Sequence, residues 1–121
     1  MKRPWTVLFY ENSTGKTPVL DFLRKQPKVD RARLGHAIDE LEWHGTKLRL
    51  PLSRPLSLSE NLFELRVSGE DNIFRILYFH FTGTTFVLLH AFVKKTQKTP
   101  SNEIDIALKR LKDFKKNNKE S

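Results

Sequence analysis

The sequence predicts an α+β protein in the order β-α-α-β-β-β-α: one mainly antiparallel sheet, a helical hairpin near the N-terminus and a helix near the C-terminus. Three observations predict it. Three apolar, aromatic-rich runs follow one another through short Gly- or Asn-containing turns, the mark of an antiparallel meander. Two stretches with apolar residues at helical spacing precede them, and a third follows. A chain of 121 residues is short enough for a single domain over residues 1–121.

Taken in order, Trp5 to Tyr10 is β-branched and aromatic and suits a strand. Glu11 to Gly15 reads as a turn, and Thr17-Pro18 as an N-cap followed by proline at the first helical position. Val19, Leu20, Phe22 and Leu23 give this helix its apolar face until Pro27 ends it. Asp30 to His44 is a second helix, with Leu34, Ile38 and Leu41 on one stripe and Gly45 as its C-terminal glycine. Lys47 to Leu58 contains Pro51 and Pro55 and shows no period, so it reads as a loop with short extended pieces.

The meander then runs Leu62–Val67, Ile73–Phe81 and Thr85–Val93, with turns at Ser68–Asn72 and Thr82–Thr84. Thr85–Val93 is the most apolar strand, which favours a central place covered on both faces. Thr99-Pro100 repeats the cap-plus-proline start, and Ile104, Ala107, Leu108 and Leu111 form the stripe of the last helix. From about residue 115 onward the chain is a polar tail expected to fray.

Composition narrows the functions. The chain has no cysteine, which excludes disulfides, thiolate metal sites and a cysteine nucleophile. The four histidines lack metal-ligand spacing and no carboxylate cluster accompanies them, so neither a metal nor another cofactor is expected. No apolar run has the length of a membrane span or a signal peptide, and a cytoplasmic protein is expected. Net charge is +8, and nine basic against four acidic residues from Lys94 onward hold most of the excess. That sign of field favours polyanions.

Two constellations could carry chemistry. Arg66 and Arg75 lie on successive strands joined by a short turn and could stand opposite one another, Arg66 facing away from Phe63, Leu65 and Val67. Opposed cations repel unless an anion such as a phosphate lies between them. The plainer reading makes each a solvated outward residue, with Glu64 as a partner. The second constellation is Lys94-Lys95-Thr96-Gln97-Lys98-Thr99-Pro100, a lysine-rich strand exit before a helix N-terminus, where anions are favoured. An ordinary polar loop would look the same. Lys47 adds a further cation, and His90 is a weaker candidate because its facing on the strand is ambiguous.

The succession Phe63-Glu64-Leu65-Arg66, then Phe74-Arg75-Ile76-Leu77-Tyr78, then the run from Phe86 to Pro100, resembles the phage-derived HigB branch of the RelE/ParE toxin superfamily. Glu103-Ile104 and Ala107 after the proline fit the same pattern, so the resemblance covers nearly the whole chain except the basic tail. It implies a RelE-like fold with a curved sheet, and a type II toxin acting as a metal-independent endoribonuclease on messenger RNA, usually at the ribosome. It also implies an antitoxin partner, commonly a HigA-like helix-turn-helix protein. In that chemistry the RNA 2′-OH attacks the adjacent phosphorus while arginine and lysine side chains stabilise the phosphoryl charge. Arg66 and Arg75 lead the expected catalytic set, followed by Lys95, Lys94 and Lys98, while Lys94, Lys95, Gln97, Lys98 and Lys47 are expected to contact RNA. A ParE-like poison of DNA gyrase and a non-catalytic RNA-binding regulator are the alternatives, and the arginine–lysine set favours the nuclease.

Overall fold

The structure, a computed structural model, describes residues 2–49 and 52–118. The elements are β1 (Thr6–Phe9), α1 (Pro18–Arg24), α2 (Lys28–His44), a 3-10 turn (Gly45–Lys47), β2 (Ser53–Ser57), β3 (Leu62–Ser68), β4 (Ile73–Thr82), β5 (Thr85–Val93) and α3 (Ser101–Asn117). The α+β class is as expected, with one strand more. β2 lies within the stretch read as a loop, because Pro55 and the polar residues around it hide the strand pattern. Proline is tolerated there since β2 pairs only with β3 and forms a sheet edge. Pro51 and residues 119–121 of the tail lie outside the described residues, while Lys115 to Asn117 continue α3 instead of fraying.

The five strands lie in the order β1-β5-β4-β3-β2. All neighbours are antiparallel except β1, which pairs in parallel with β5 through Thr6↔Thr85 to Phe9↔Leu88. The middle strand is therefore β4. β5, expected at the centre from its apolarity, is the interior strand beside it. Its outer edge is covered by a strand from the other end of the sequence, a pairing that local periodicity cannot reveal.

β5 is apolar apart from Thr85 and His90 because the sheet is covered on both faces. On one face Val19 and Leu23 of α1 and Leu34, Ile38 and Leu41 of α2 meet Leu65, Val67, Phe74, Ile76, Tyr78, Phe86 and Leu88. On the other, Ala107, Leu111 and Phe114 of α3 meet Leu62, Leu77, Phe79, Val87 and Leu89. Tyr10, just past β1, donates to Asp113 Oδ2 at 2.5 Å and ties the N-terminal segment to α3. Gly45 ends α2 at φ 53°, and a Cβ there would run into the Trp5 indole. Among the described residues no helix is long and apolar enough to cross a membrane.

Candidate active site

The β3–β4 register pairs Glu64 with Leu77 and Arg66 with Arg75. Strand alternation puts Glu64 and Arg66 on the face of Leu62, the face that α3 covers, and Arg75 on the same face as Leu77. α3 does not reach this end of the sheet. The strand exit Lys94–Thr99 lies over it instead, held to β4 by a 2.6 Å bond from the Lys94 amide to the Ile73 carbonyl.

Beneath that segment lies a buried ionic network. Glu64, Arg75 and Thr99 are 2%, 2% and 3% exposed. Arg75 Nη1 donates to Thr99 Oγ1 at 2.7 Å and stands 3.5 Å from Glu64 Oε2. Arg75 Nη2 donates to the carbonyls of Thr96 at 3.1 Å and Gln97 at 2.6 Å. Arg54, from the edge strand β2, donates to Glu64 Oε1 at 3.0 Å and to Thr99 Oγ1 at 3.1 Å. The Thr99 hydroxyl donates to Glu64 Oε2. One carboxylate thus serves two guanidinium groups and a hydroxyl, the arrangement a buried charge needs. Burial pushes the Arg75 guanidinium down from its ordinary pKa, Glu64 opposes this, and Arg54 and Arg66 add to it. Among the described residues, Arg75 Nε is the one buried side-chain nitrogen or oxygen with no hydrogen-bond partner.

Above the network opens a cleft of about 340 Å³, walled by Arg54, Glu64, Arg66, Arg75, Lys94 and Gln97. Arg66 is exposed and makes no ion pair or side-chain hydrogen bond among the described residues, since Glu64 is taken by Arg54 and Arg75. Lys94 lies across from it, 3.5 Å from Gln97 Oε1. Partial desolvation, then Arg66 and Arg75, holds the Lys94 ammonium below the usual lysine range, with Glu64 opposing.

The cleft gathers Arg66, Arg75, Lys94 and Gln97 from the expected set. Lys95 and Lys98 are exposed on the strand exit, and Lys47 is exposed at the end of the 3-10 turn; none of the three lines the cleft. Neither does His90. A bulge between Leu77 and Tyr78 in the β4–β5 register leaves Leu89 unpaired and turns His90, opposite Leu77, toward α3. His90 Nε2 donates to Glu103 Oε1 at 2.8 Å, and Nδ1 accepts from Arg110 at 3.2 Å. A guanidinium only donates, so the ring proton sits on Nε2. Burial pushes the His90 pKa down; Glu103 opposes this and Arg110 adds to it.

Arg54 is not singled out by the sequence, whereas Glu64 is offered there as a partner of the arginines, which it is for Arg75, and Thr99 stands in the lysine-rich exit only as a cap. Glu64 had a visible signal, a carboxylate in a strand otherwise ready for burial. Thr99, read as a helix cap, makes no cap bond, because Pro100 takes the cap position and the hydroxyl turns into the network. Arg54 had none, since its strand was hidden by Pro55.

On this α+β scaffold the exposed Arg66 and the half-buried Lys94 stand over a floor in which one carboxylate meets two guanidinium groups. Residues 21–112 match the model of the phage-derived Gp49-like protein family (DUF891), and the chain belongs to this toxin–antitoxin-related family. It is also similar to the probable endoribonuclease HigB1 of Mycobacterium tuberculosis, in strains CDC 1551 / Oshkosh and ATCC 25618 / H37Rv. Each is 43% identical over 56 residues, which cover 46% of this chain and 44% of the relative. The match thus spans less than half the length of these relatives.

Proposed function

We propose that this protein is the toxin of a type II toxin–antitoxin pair, an endoribonuclease that cleaves messenger RNA at the ribosome. The observation that carries the reading is the cleft in which Arg66 stands opposite Arg75 with Lys94 beside them. The family and the partial likeness to HigB1 endoribonucleases support it.

RNA brings its own nucleophile. The 2′-OH gives up its proton as it attacks the adjacent phosphorus, the bond to the 5′ oxygen of the next nucleotide breaks, that oxygen takes a proton from water, and a 2′,3′-cyclic phosphate and a 5′-hydroxyl result. The protein must align that attack and stabilise charge on the non-bridging oxygens. Arg66, exposed and uncommitted among the described residues, grips the phosphate. Arg75 fixes the strand exit through Thr99 and the carbonyls of Thr96 and Gln97, and adds its charge from beneath the cleft. Lys94, held below the usual lysine range, is suited to take the 2′-OH proton. Lys95, Gln97, Lys98 and Lys47 contact neighbouring phosphates, and no step requires a metal or small-molecule cofactor. A HigA-like antitoxin holds the activity in check.

The test is cleavage of ribosome-bound mRNA by purified protein in the presence of a chelator, with 5′-hydroxyl ends read at the cut. Intact mRNA with gyrase trapped on DNA would replace this reading with the ParE-like one.

A further inference from the structure

Beside the cleft, on the other side of Arg66, runs a separate groove of about 1160 Å³ between α2 and the edge formed by Leu52 and the end of β3. Its α2 wall is a stripe at helical spacing that includes Val29, Ala32 and Arg33. Val29 and Leu52, 42% and 37% exposed, are two of the few large apolar side chains open to solvent among the described residues. Lys28, Arg33 and Arg66 border the apolar floor. The single carboxylate in the lining, Glu40, lies 3.6 Å from His36 Nε2 and 3.3 Å from His44 Nε2.

We infer that this groove seats an amphipathic helical segment of the antitoxin, apolar on the face against Val29, Ala32 and Leu52 and acidic where it meets Lys28, Arg33 and Arg66. The inference rests on the toxin reading and adds the surface and chemistry of the partner. The volume exceeds the roughly 300–1,000 Å³ typical of small-molecule sites. The aliphatic floor has no aromatic ring on which an RNA base would stack. A second copy of the chain, itself at +8, would bring like charge to a cationic rim. An acidic amphipathic helix satisfies both the floor and the rim.

The geometry also gives the mode of inhibition. Arg66 and Leu52 line both groove and cleft. A carboxylate docked on Arg66 withdraws the exposed guanidinium that would otherwise hold the phosphate. Antitoxin and RNA therefore each weaken the binding of the other, as linkage requires.

The experiment uses the full chain and, as probe, the purified protein encoded by the adjacent gene. Val29→Glu with Ala32→Glu, both at exposed positions, puts two carboxylates on the floor. The double variant is expected to cleave mRNA as the parent does, to lose about tenfold or more in affinity for the probe, and to arrest growth when the probe is co-expressed. A photo-crosslinker at position 29 is expected to capture a segment with apolar residues at helical spacing and flanking acids. Unchanged affinity of the double variant, or a captured segment without acids, overturns the inference and leaves the nuclease reading standing. Failure of the parent chain to cleave ribosome-bound mRNA overturns the nuclease reading instead. If the parent chain does not bind the probe, or pairs with itself through position 29, the inference falls.

Discussion

Arg66 stands directly opposite Arg75 across β3 and β4, and the two guanidinium groups have opposite surroundings. Arg75 is 2% exposed and holds Glu64, Thr99 and two carbonyls of the strand exit, whereas Arg66 faces the cleft with no partner among the described residues. Alanine should therefore separate binding from architecture. Arg66→Ala is expected to leave the melting temperature nearly unchanged and to cut the cleavage rate about 10²–10³-fold, the scale for losing a group that stabilises transition-state charge. Arg75→Ala leaves Glu64 buried with less compensation and should cost about 3–5 kcal/mol. Chemical denaturation beside a single-turnover cleavage assay reads both quantities.

Thr99 is the joint between network and strand exit. Thr99→Val keeps the shape but removes a hydroxyl that Arg54, Arg75 and Glu64 share. A loss of about 1–3 kcal/mol is expected, with faster amide exchange from Lys94 to Gln97. Thr99→Ser should restore both.

Lys94 is expected to give cleavage a pH response. Desolvation and neighbouring cations favour its neutral form. If it takes the 2′-OH proton, cleavage rises with pH and levels off below the ordinary lysine value of about 10.4. Lys94→Arg, which stays charged, should lose that rise while keeping RNA affinity, and a pH–rate profile beside a binding titration decides it.

The chain has two tyrosines, and both are held un-ionised. Burial, then the bond to Asp113, pushes Tyr10 up to about 12, and burial pushes Tyr78 up to about 12 against the opposing effect of Ser53. A raised phenol pKa contributes stability that is full below the unfolded value of about 10 and is lost as pH rises toward 12. Ultraviolet titration should show almost no tyrosinate in the folded protein at pH 10.5, and about 10 as the midpoint in denaturant.

His90 works in the other direction. Its folded pKa lies below the unfolded value of about 6.5, so its neutral form stabilises the fold above that pH. This contribution is lost as pH falls through 6.5 toward the folded pKa. Between pH 7.5 and 5.5 the parent protein should lose more stability than His90→Gln, measured by urea denaturation at each pH.

The sequence carried the meander, the two leading helices and the Arg66–Arg75 juxtaposition, because period-two alternation and a short turn between strands are local signals. It did not carry β2, whose proline masks the strand, or the parallel β1–β5 pairing, which joins distant segments. At the site it marked Arg66, Arg75 and the lysines of the strand exit as candidate cations. It could not show that Arg75 is buried, because strand alternation assigns a face but not what covers it. The cover is Thr96 to Thr99, read as an exposed lysine loop and a helix cap. Only the fold brings Arg54 and Thr99 to Glu64.

The parallel pairing of β1 with β5 is also expected to come late in folding. Thr6 must find Thr85 across most of the chain, and such distant closures come slowly. Until it does, β5 presents a bare row of amides and carbonyls beside Phe86, Val87, Leu88 and Leu89. Such an edge is a template for pairing with another chain. The four-residue strand from Thr6 to Phe9 is therefore expected to guard against aggregation. Removing it should leave a protein that precipitates during refolding before it loses its cleft.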